Sequence, residues 1–132
     1  MSRWHLVTED FPPGFCGGIA SWTMDLALAL HAQSETVQVY ARHTGKTSAH
    51  DQGLPWHTTR MRGRSWARWK SRWAQWALRG AIQPGDRVVF THWGLAVHGS
   101  AAIKRAGASI GLSFHGSDLT QLHAAPAELK QA

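Results

Sequence analysis

Five short runs of β-branched and aromatic residues, set between helical and turn segments, constrain this chain more than any other feature. Trp4 to Thr8, Thr36-Val37-Gln38-Val39-Tyr40, Trp56 to Thr59, Arg87-Val88-Val89-Phe90-Thr91 and Ala108 to Phe114 read as strands. After the first, Ile19, Trp22, Leu26 and Leu30 recur at spacings of 3, 4 and 4, the pattern of an amphipathic helix. Arg64 to Ala81 is the clearest helix, Leu95 to Ala106 can be helical, and a helix or turn follows Asp118. His43 to Gly53 reads as a polar loop and Pro84-Gly85-Asp86 as a turn. Strands separated by helices predict an α/β fold, a Rossmann-like parallel sheet with helices on both faces and right-handed crossovers. A length of 132 residues fits a single domain over 1–132.

Several classes of protein are excluded early. No apolar run approaches the ~20 residues of a membrane-spanning helix. No secretory signal pattern stands at the start of the sequence. One cysteine, Cys16, allows no internal disulfide and no zinc knuckle, which fits a reducing cytoplasm. The formal charge is +6, from 14 Lys and Arg against 8 Asp and Glu, and suggests an anionic partner. That charge is concentrated. No acidic residue falls between Asp51 and Asp86, where Arg60, Arg62, Arg64, Arg68, Lys70, Arg72 and Arg79 stand with five of the eight Trp.

In a doubly wound sheet, ligands sit at the carboxyl ends of the strands. Three loops qualify: Phe11 to Gly18, His92-Trp93-Gly94, and His115-Gly116-Ser117-Asp118. Gly17-Gly18 opens the first helix. The pair either lets a ligand approach free amides closely or makes a turn that needs left-handed backbone. G-x-G-x-x-G is absent. Gly45-Lys46-Thr47 is no phosphate loop, because Tyr40 stands where that motif needs glycine. The nine His form no H-E-x-x-H and no compact cluster, so they read as ordinary imidazoles, mostly exposed, with no metal site expected. His115 and His92 stand apart, each ending a buried strand at the ligand edge, where an imidazole can donate a hydrogen bond or move a proton. Cys16 has no base tied to it by sequence and reads as inert. No G-x-S-x-G elbow is present.

On the Arg64–Ala81 helix, Trp66, Trp69, Trp73 and Trp76 form one stripe at spacings of 3, 4 and 3, beside Arg68 and Arg72. Two readings stay open: a core-facing aromatic stripe with a solvated basic back, or a surface for anionic lipid head groups. A nucleic-acid partner is not expected, since no binding motif accompanies the charge and the aromatics lie on a helix rather than a sheet platform.

Three segments together resemble glycosyltransferase family 4. Phe11-Pro12-Pro13-Gly14-Phe15-Cys16-Gly17-Gly18-Ile19-Ala20 is similar to its opening glycine loop. Asp86-Arg87-Val88-Val89-Phe90-Thr91-His92 is similar to a later strand, and Ser113-Phe114-His115-Gly116-Ser117-Asp118 to its "HG-x-D" segment. The resemblance implies the N-terminal, acceptor-side half of a two-domain GT-B enzyme. Such enzymes transfer a sugar from a nucleotide-sugar donor to an acceptor with retention, usually without a metal and with no further cofactor. By position it implies that Gly17 and Gly18 approach the donor diphosphate and that His115 is the catalytic contact to the transferred sugar. Asp118 would shape the cleft, with His92 on its acceptor side. Several members work at membranes through a basic aromatic helix in this half. That makes Trp66, Arg68, Trp69, Arg72 and Trp73 candidates for a membrane surface at the inner face of a cytoplasmic membrane. The donor half has no counterpart in these residues, so the chain is expected not to turn over alone. The alternative is a peripheral membrane-binding module that uses helix 64–81 without catalysis.

Overall fold

The computed structural model describes residues 3–13, 17–43, 47–61, 78, 80–96 and 99–113. The elements follow in the order β1 (Arg3–Val7), α1 (Gly18–Ala32), β2 (Thr36–Arg42), α2 (Ser48–Gln52), β3 (His57–Met61), β4 (Arg87–Phe90), α3 (Trp93–Ala96), α4 (Ser100–Arg105) and β5 (Ser109–Leu112). The five strands form one all-parallel sheet in the order β3-β2-β1-β4-β5. The expected α/β, Rossmann-like arrangement is therefore present. The chain runs outward from β1 through β2 to β3, then returns to place β4 on the other side of β1. The β1–β4 boundary is thus where the strand order reverses.

Each face of the sheet has its own core, as the alternation of strand side chains requires. On one face Leu6, Val37, Val39 and Ala41 pack with Ala27 and Leu30 of α1 and with Phe11 and Trp56. On the other, Val7, Tyr40, Val88 and Phe90 pack with Leu78, Leu95, Ala96, Ile103 and Ala108. Phe90 is fully buried, and truncating such a ring to alanine typically costs about 3–5 kcal/mol.

Helix α1 seats itself differently from its apolar spacing. The buried residues are Ala20, Thr23, Ala27 and Leu30, while Trp22 is 38% exposed. Small side chains let the helix lie close on the sheet, and Thr23 satisfies its buried hydroxyl by donating to the Ile19 carbonyl at 2.7 Å. The helix ends with the Ser34 and Glu35 amides bonded back to His31 and Leu30, and Ser34 takes φ +63. This left-handed closure is ordinarily made by glycine.

Other expectations are corrected. The stretch read as a polar loop, His43 to Gly53, contains α2, a single polar turn that periodicity does not reveal. The segment that can be helical, Leu95 to Ala106, takes in the end of α3 and all of α4, which starts after Gly99. The turn at Pro84-Gly85-Asp86 is present. Gly85 has φ +87 and its amide donates to the Gly107 carbonyl. Gly107 itself has φ +86, and a Cβ there would lie 3.2 Å from Pro84, so both backbone angle and space demand glycine.

His5 is not one of a set of mostly exposed imidazoles, for it is fully buried. Its Nε2 lies 2.9 Å from Asp86 Oδ2 and its Nδ1 2.9 Å from the Tyr40 hydroxyl, which also lies 2.8 Å from Gln38 Oε1. Asp86 accepts further from the backbone amides of Arg3 and Gln83 and pairs with the Arg3 guanidinium, which donates to the Ala81 carbonyl. Burial holds His5 below its ordinary value despite the pull of Asp86. Burial alone would raise Asp86, but the hydrogen bonds from His5, Gln83 and Arg3 outweigh it and hold the carboxyl low. Burial also pushes Tyr40 up to about 12. A neutral His5 that donates to Asp86 keeps only a lone pair at Nδ1. The single Tyr40 proton then serves either His5 or Gln38, and this part of the sheet is closed by protons held in place.

Candidate functional site

β1, β4 and β5 end at one level, and β2 and β3 run two residues further. One residue beyond each of the former, the Thr8 amide donates to the Tyr40 carbonyl, the Thr91 amide to Val7, and the Ser113 amide to Phe90. Thr8, Thr91 and Ser113 thus stand in a row across the carboxyl edge. Thr8 and Thr91 flank the reversal point. Both are fully buried, with the Thr91 hydroxyl 3.0 Å from that of Thr8, which donates on to the Asp10 carbonyl at 2.8 Å. This hydroxyl pair lies where β1 and β4 meet, the reversal point at which such sheets hold ligands.

Helix α1 begins over that edge. Gly17 is its N-cap in extended backbone (φ −85, ψ −172), with no side-chain cap and no acidic residue in the first turn. Gly18 is exposed, and a Cβ there would meet nothing within 4 Å. Neither glycine has the left-handed angle that a tight turn would need, so backbone geometry does not explain the pair. Open space above the first turn remains. A helix start leaves its first amides without intrahelical carbonyls, and its dipole favours an anion there.

His92 follows β4 and is half-buried. The Gly94 amide donates to its Nδ1 at 2.9 Å, so a neutral ring carries its proton on Nε2. The Leu95 amide caps the His92 carbonyl and starts α3. The structure therefore brings Gly17, Gly18 and His92 to the same edge of the sheet. His115 and Asp118, and Trp66, Arg68, Trp69, Arg72 and Trp73, lie outside the described residues, as does Cys16.

The loop between β1 and α1 is held by a residue that the sequence suggested was there for an outside partner. Arg60 on β3 is 6% exposed. It donates to both Asp51 oxygens at 2.9 Å, to the Arg42 carbonyl at 2.9 Å, to the Phe11 carbonyl at 3.5 Å and to the Pro12 carbonyl. A guanidinium has five N–H groups, and all five are committed. Its Cζ also lies 5.5 Å from the Phe11 ring centroid, within cation–π range. Phe11 is buried, and the Pro12–Pro13 peptide is cis. Nearby, burial raises the Asp10 carboxyl above its ordinary value although Arg42 stands 3.4 Å away. Arg60 thus belongs to the scaffold of the edge, and the basic cluster expected to face a partner is smaller by that residue.

Sequence reasoning missed Arg60–Asp51 and the Thr8–Thr91 pair. The threonines had a signal: the first and fourth strands both end in two apolar residues followed by Thr. Arg60 had none, because its partners come from three separate segments.

Among the described residues no group of three His, Cys, Asp or Glu side chains is placed to hold a metal ion, and no helix is long and apolar enough to cross a membrane. Compared with known proteins, the sequence matches no family model, and no curated protein is significantly similar to it.

Proposed function

We propose that this chain is the acceptor-side half of a sugar-transferring enzyme of the glycosyltransferase family 4 kind. In this reading it acts in the cytoplasm, takes a nucleotide sugar as donor, and does not turn over without a donor-binding half. The observation that carries the reading is the open, glycine-capped start of α1 beside the β1–β4 reversal, with no acidic residue in its first turn. Such an arrangement suits a diphosphate, whose charge meets free amides and the helix dipole. His92 stands on the same edge, where an imidazole can contact a hydroxyl or phosphate oxygen. His115 and Asp118 enter through the family resemblance alone, as contacts to the transferred sugar. The positive charge needed for the leaving diphosphate would come from the donor half.

The test uses the ¹⁵N-labelled chain titrated with a nucleoside diphosphate. The amides of Gly17, Gly18 and Ile19 should shift saturably, and Gly18→Asp should abolish the shifts, since the new carboxylate occupies the open space. Absent shifts, or equal shifts in the variant, would refute the diphosphate site. With a donor-binding half joined to the chain, His115→Ala should abolish transfer while leaving the fold intact.

A second reading, peripheral binding to an anionic membrane through Trp66, Arg68, Trp69, Arg72 and Trp73, is favoured by the Trp and Arg spacing in the sequence. Trp69→Glu with Trp73→Glu should then release the protein from anionic vesicles without unfolding it.

A further inference from the structure

A recess lies between α2 and the edge strand β3, away from the β1–β4 reversal. It is an open recess of about 350 Å³ lined by His43, Thr47, Ser48, Asp51, Gln52, His57, Thr58 and Arg60. That volume is within the range of small-molecule sites. Every lining side chain is polar, which is unusual for such a site and narrows the occupant.

The two charged groups in the wall are already spent. Arg60 has no N–H left, and both Asp51 oxygens accept from it, one of them also facing His50 Nδ1 at 3.2 Å. The pair is neutral as a unit and offers an anion no free donor. What remains is hydroxyl, carboxamide and imidazole. One group carries the argument further. Thr58 Oγ1 is buried and has no hydrogen-bond partner among the described residues. Thr58 stands level with Val39 in the sheet, on the face that α2 covers. A buried hydroxyl left unpaired is costly, and valine, the same shape without the hydroxyl, would have avoided that cost. A hydroxyl kept at such a position marks a place where a partner arrives from outside.

We infer that the recess between α2 and β3 binds a small, uncharged, polyhydroxylated molecule of about monosaccharide size, with the buried Thr58 Oγ1 as one of its contacts. Hydroxyl groups of the ligand both donate and accept, as do Thr58, Ser48 and Thr47, while Gln52 and the imidazoles of His43 and His57 supply the rest. The site stands apart from the diphosphate reading, because different probes and different amides report on it.

The experiment titrates the ¹⁵N-labelled chain with myo-inositol and with glucose, using inorganic phosphate as the charged comparison. Amides of Ser48, Gln52, His57 and Thr58 should shift saturably with a polyol and not with phosphate. Thr58→Val should weaken polyol binding about five- to tenfold, the worth of one buried hydrogen bond, and should raise the melting temperature of the free chain. Gln52→Ala, on the outer wall, should weaken binding without changing that temperature. Absent polyol shifts, shifts with phosphate instead, or a Thr58→Val variant that binds as well as the parent would overturn the proposal. So would a lowered melting temperature in that variant, since the hydroxyl would then have a partner inside the fold.

Discussion

The two ends of the sheet are built on opposite principles. At the amino end, His5, Asp86, Tyr40 and Arg3 are knotted together, and Asp86 accepts from a ring and two amides and pairs with a guanidinium. At the carboxyl end stand a buried Thr8–Thr91 pair and a glycine-capped helix start with no acidic residue in its first turn. Among the described residues the groups with shifted acidity are His5, Tyr40 and Asp86 at the closed end and Asp10 at the other. A search for function by perturbed acidity alone would choose the amino end. Geometry reverses that choice: His5 and Asp86 are fully buried, and their hydrogen bonds join strands to one another. The lesson is that a buried acid–base cluster belongs to a site only if something else can reach it.

This contrast can be broken deliberately. The largest effect is expected at Asp86. Asp86→Ala strands His5, the Gln83 and Arg3 amides and the Arg3 guanidinium together. It should cost about 3–5 kcal/mol in urea unfolding, as removing one partner of a buried pair does. A loss under 1 kcal/mol would show the knot to be dispensable.

Acidity gives the next effect, with a definite sign. Tyr40 is the only tyrosine in the chain, so its phenolate absorbance is a clean signal. Its folded value is raised from 10 to about 12. The folded state therefore holds a proton that the unfolded state releases, and stability falls as pH rises from 10 towards 12, by on the order of 2–3 kcal/mol. His5 acts at the other end of the scale. Its folded value is lowered, so the unfolded state binds the extra proton and stability falls as pH drops below about 6.5. Asp86, also lowered, adds a further loss as pH falls below its ordinary 3.8. A urea midpoint that is flat from pH 7.5 to 5.5 would contradict the buried neutral His5.

A smaller effect tests the exit from α1. Ser34→Gly removes a side chain from left-handed backbone at an exposed position and should stabilise by about 0.5–1 kcal/mol, the strain relieved less the added chain entropy. The smallest is at the open end. Gly18→Asp adds a carboxylate to a helix start that has none, and should leave stability unchanged or raise it by about 0.3–1 kcal/mol in thermal unfolding. A loss comparable to that of Asp86→Ala would erase the difference between the two ends.

The sheet was legible in the sequence because its strands are signalled locally. Val37 and Val39 alternate with polar neighbours, and Val88-Val89-Phe90 is a short run buried on both faces. Helix α1 was legible in its start and length but not in its facing. Burial chose Ala20 and Ala27 over Trp22, since the distance between helix and sheet is a tertiary quantity. Helix α2 escaped notice because Ser48-Ala49-His50-Asp51-Gln52 has no apolar face, and it is tied to the sheet by the Asp51–Arg60 pair rather than by burial. At the candidate site, Gly17, Gly18 and His92 could be placed by the rule that loops at strand ends hold ligands. His5 looked like one imidazole among nine because its partner is 81 residues away.

That separation has a consequence for the order in which the molecule is put together. His5 meets Tyr40 across 35 residues of chain but Asp86 across 81. Closing the shorter loop costs less entropy, and pairing of β1 with β2 has only α1 to bring along. Until β4 docks, one flank of the central strand is bare and the imidazole of His5 has no carboxylate beside it. Any partly assembled form that lacks β4 would therefore carry a histidine with near-ordinary acidity, and docking would expel its proton in mildly acidic solution. Refolding at pH 6 should accordingly slow relative to pH 8 at the docking step and not at the formation of the β1–α1–β2 unit, so this single side chain times the closing of the sheet.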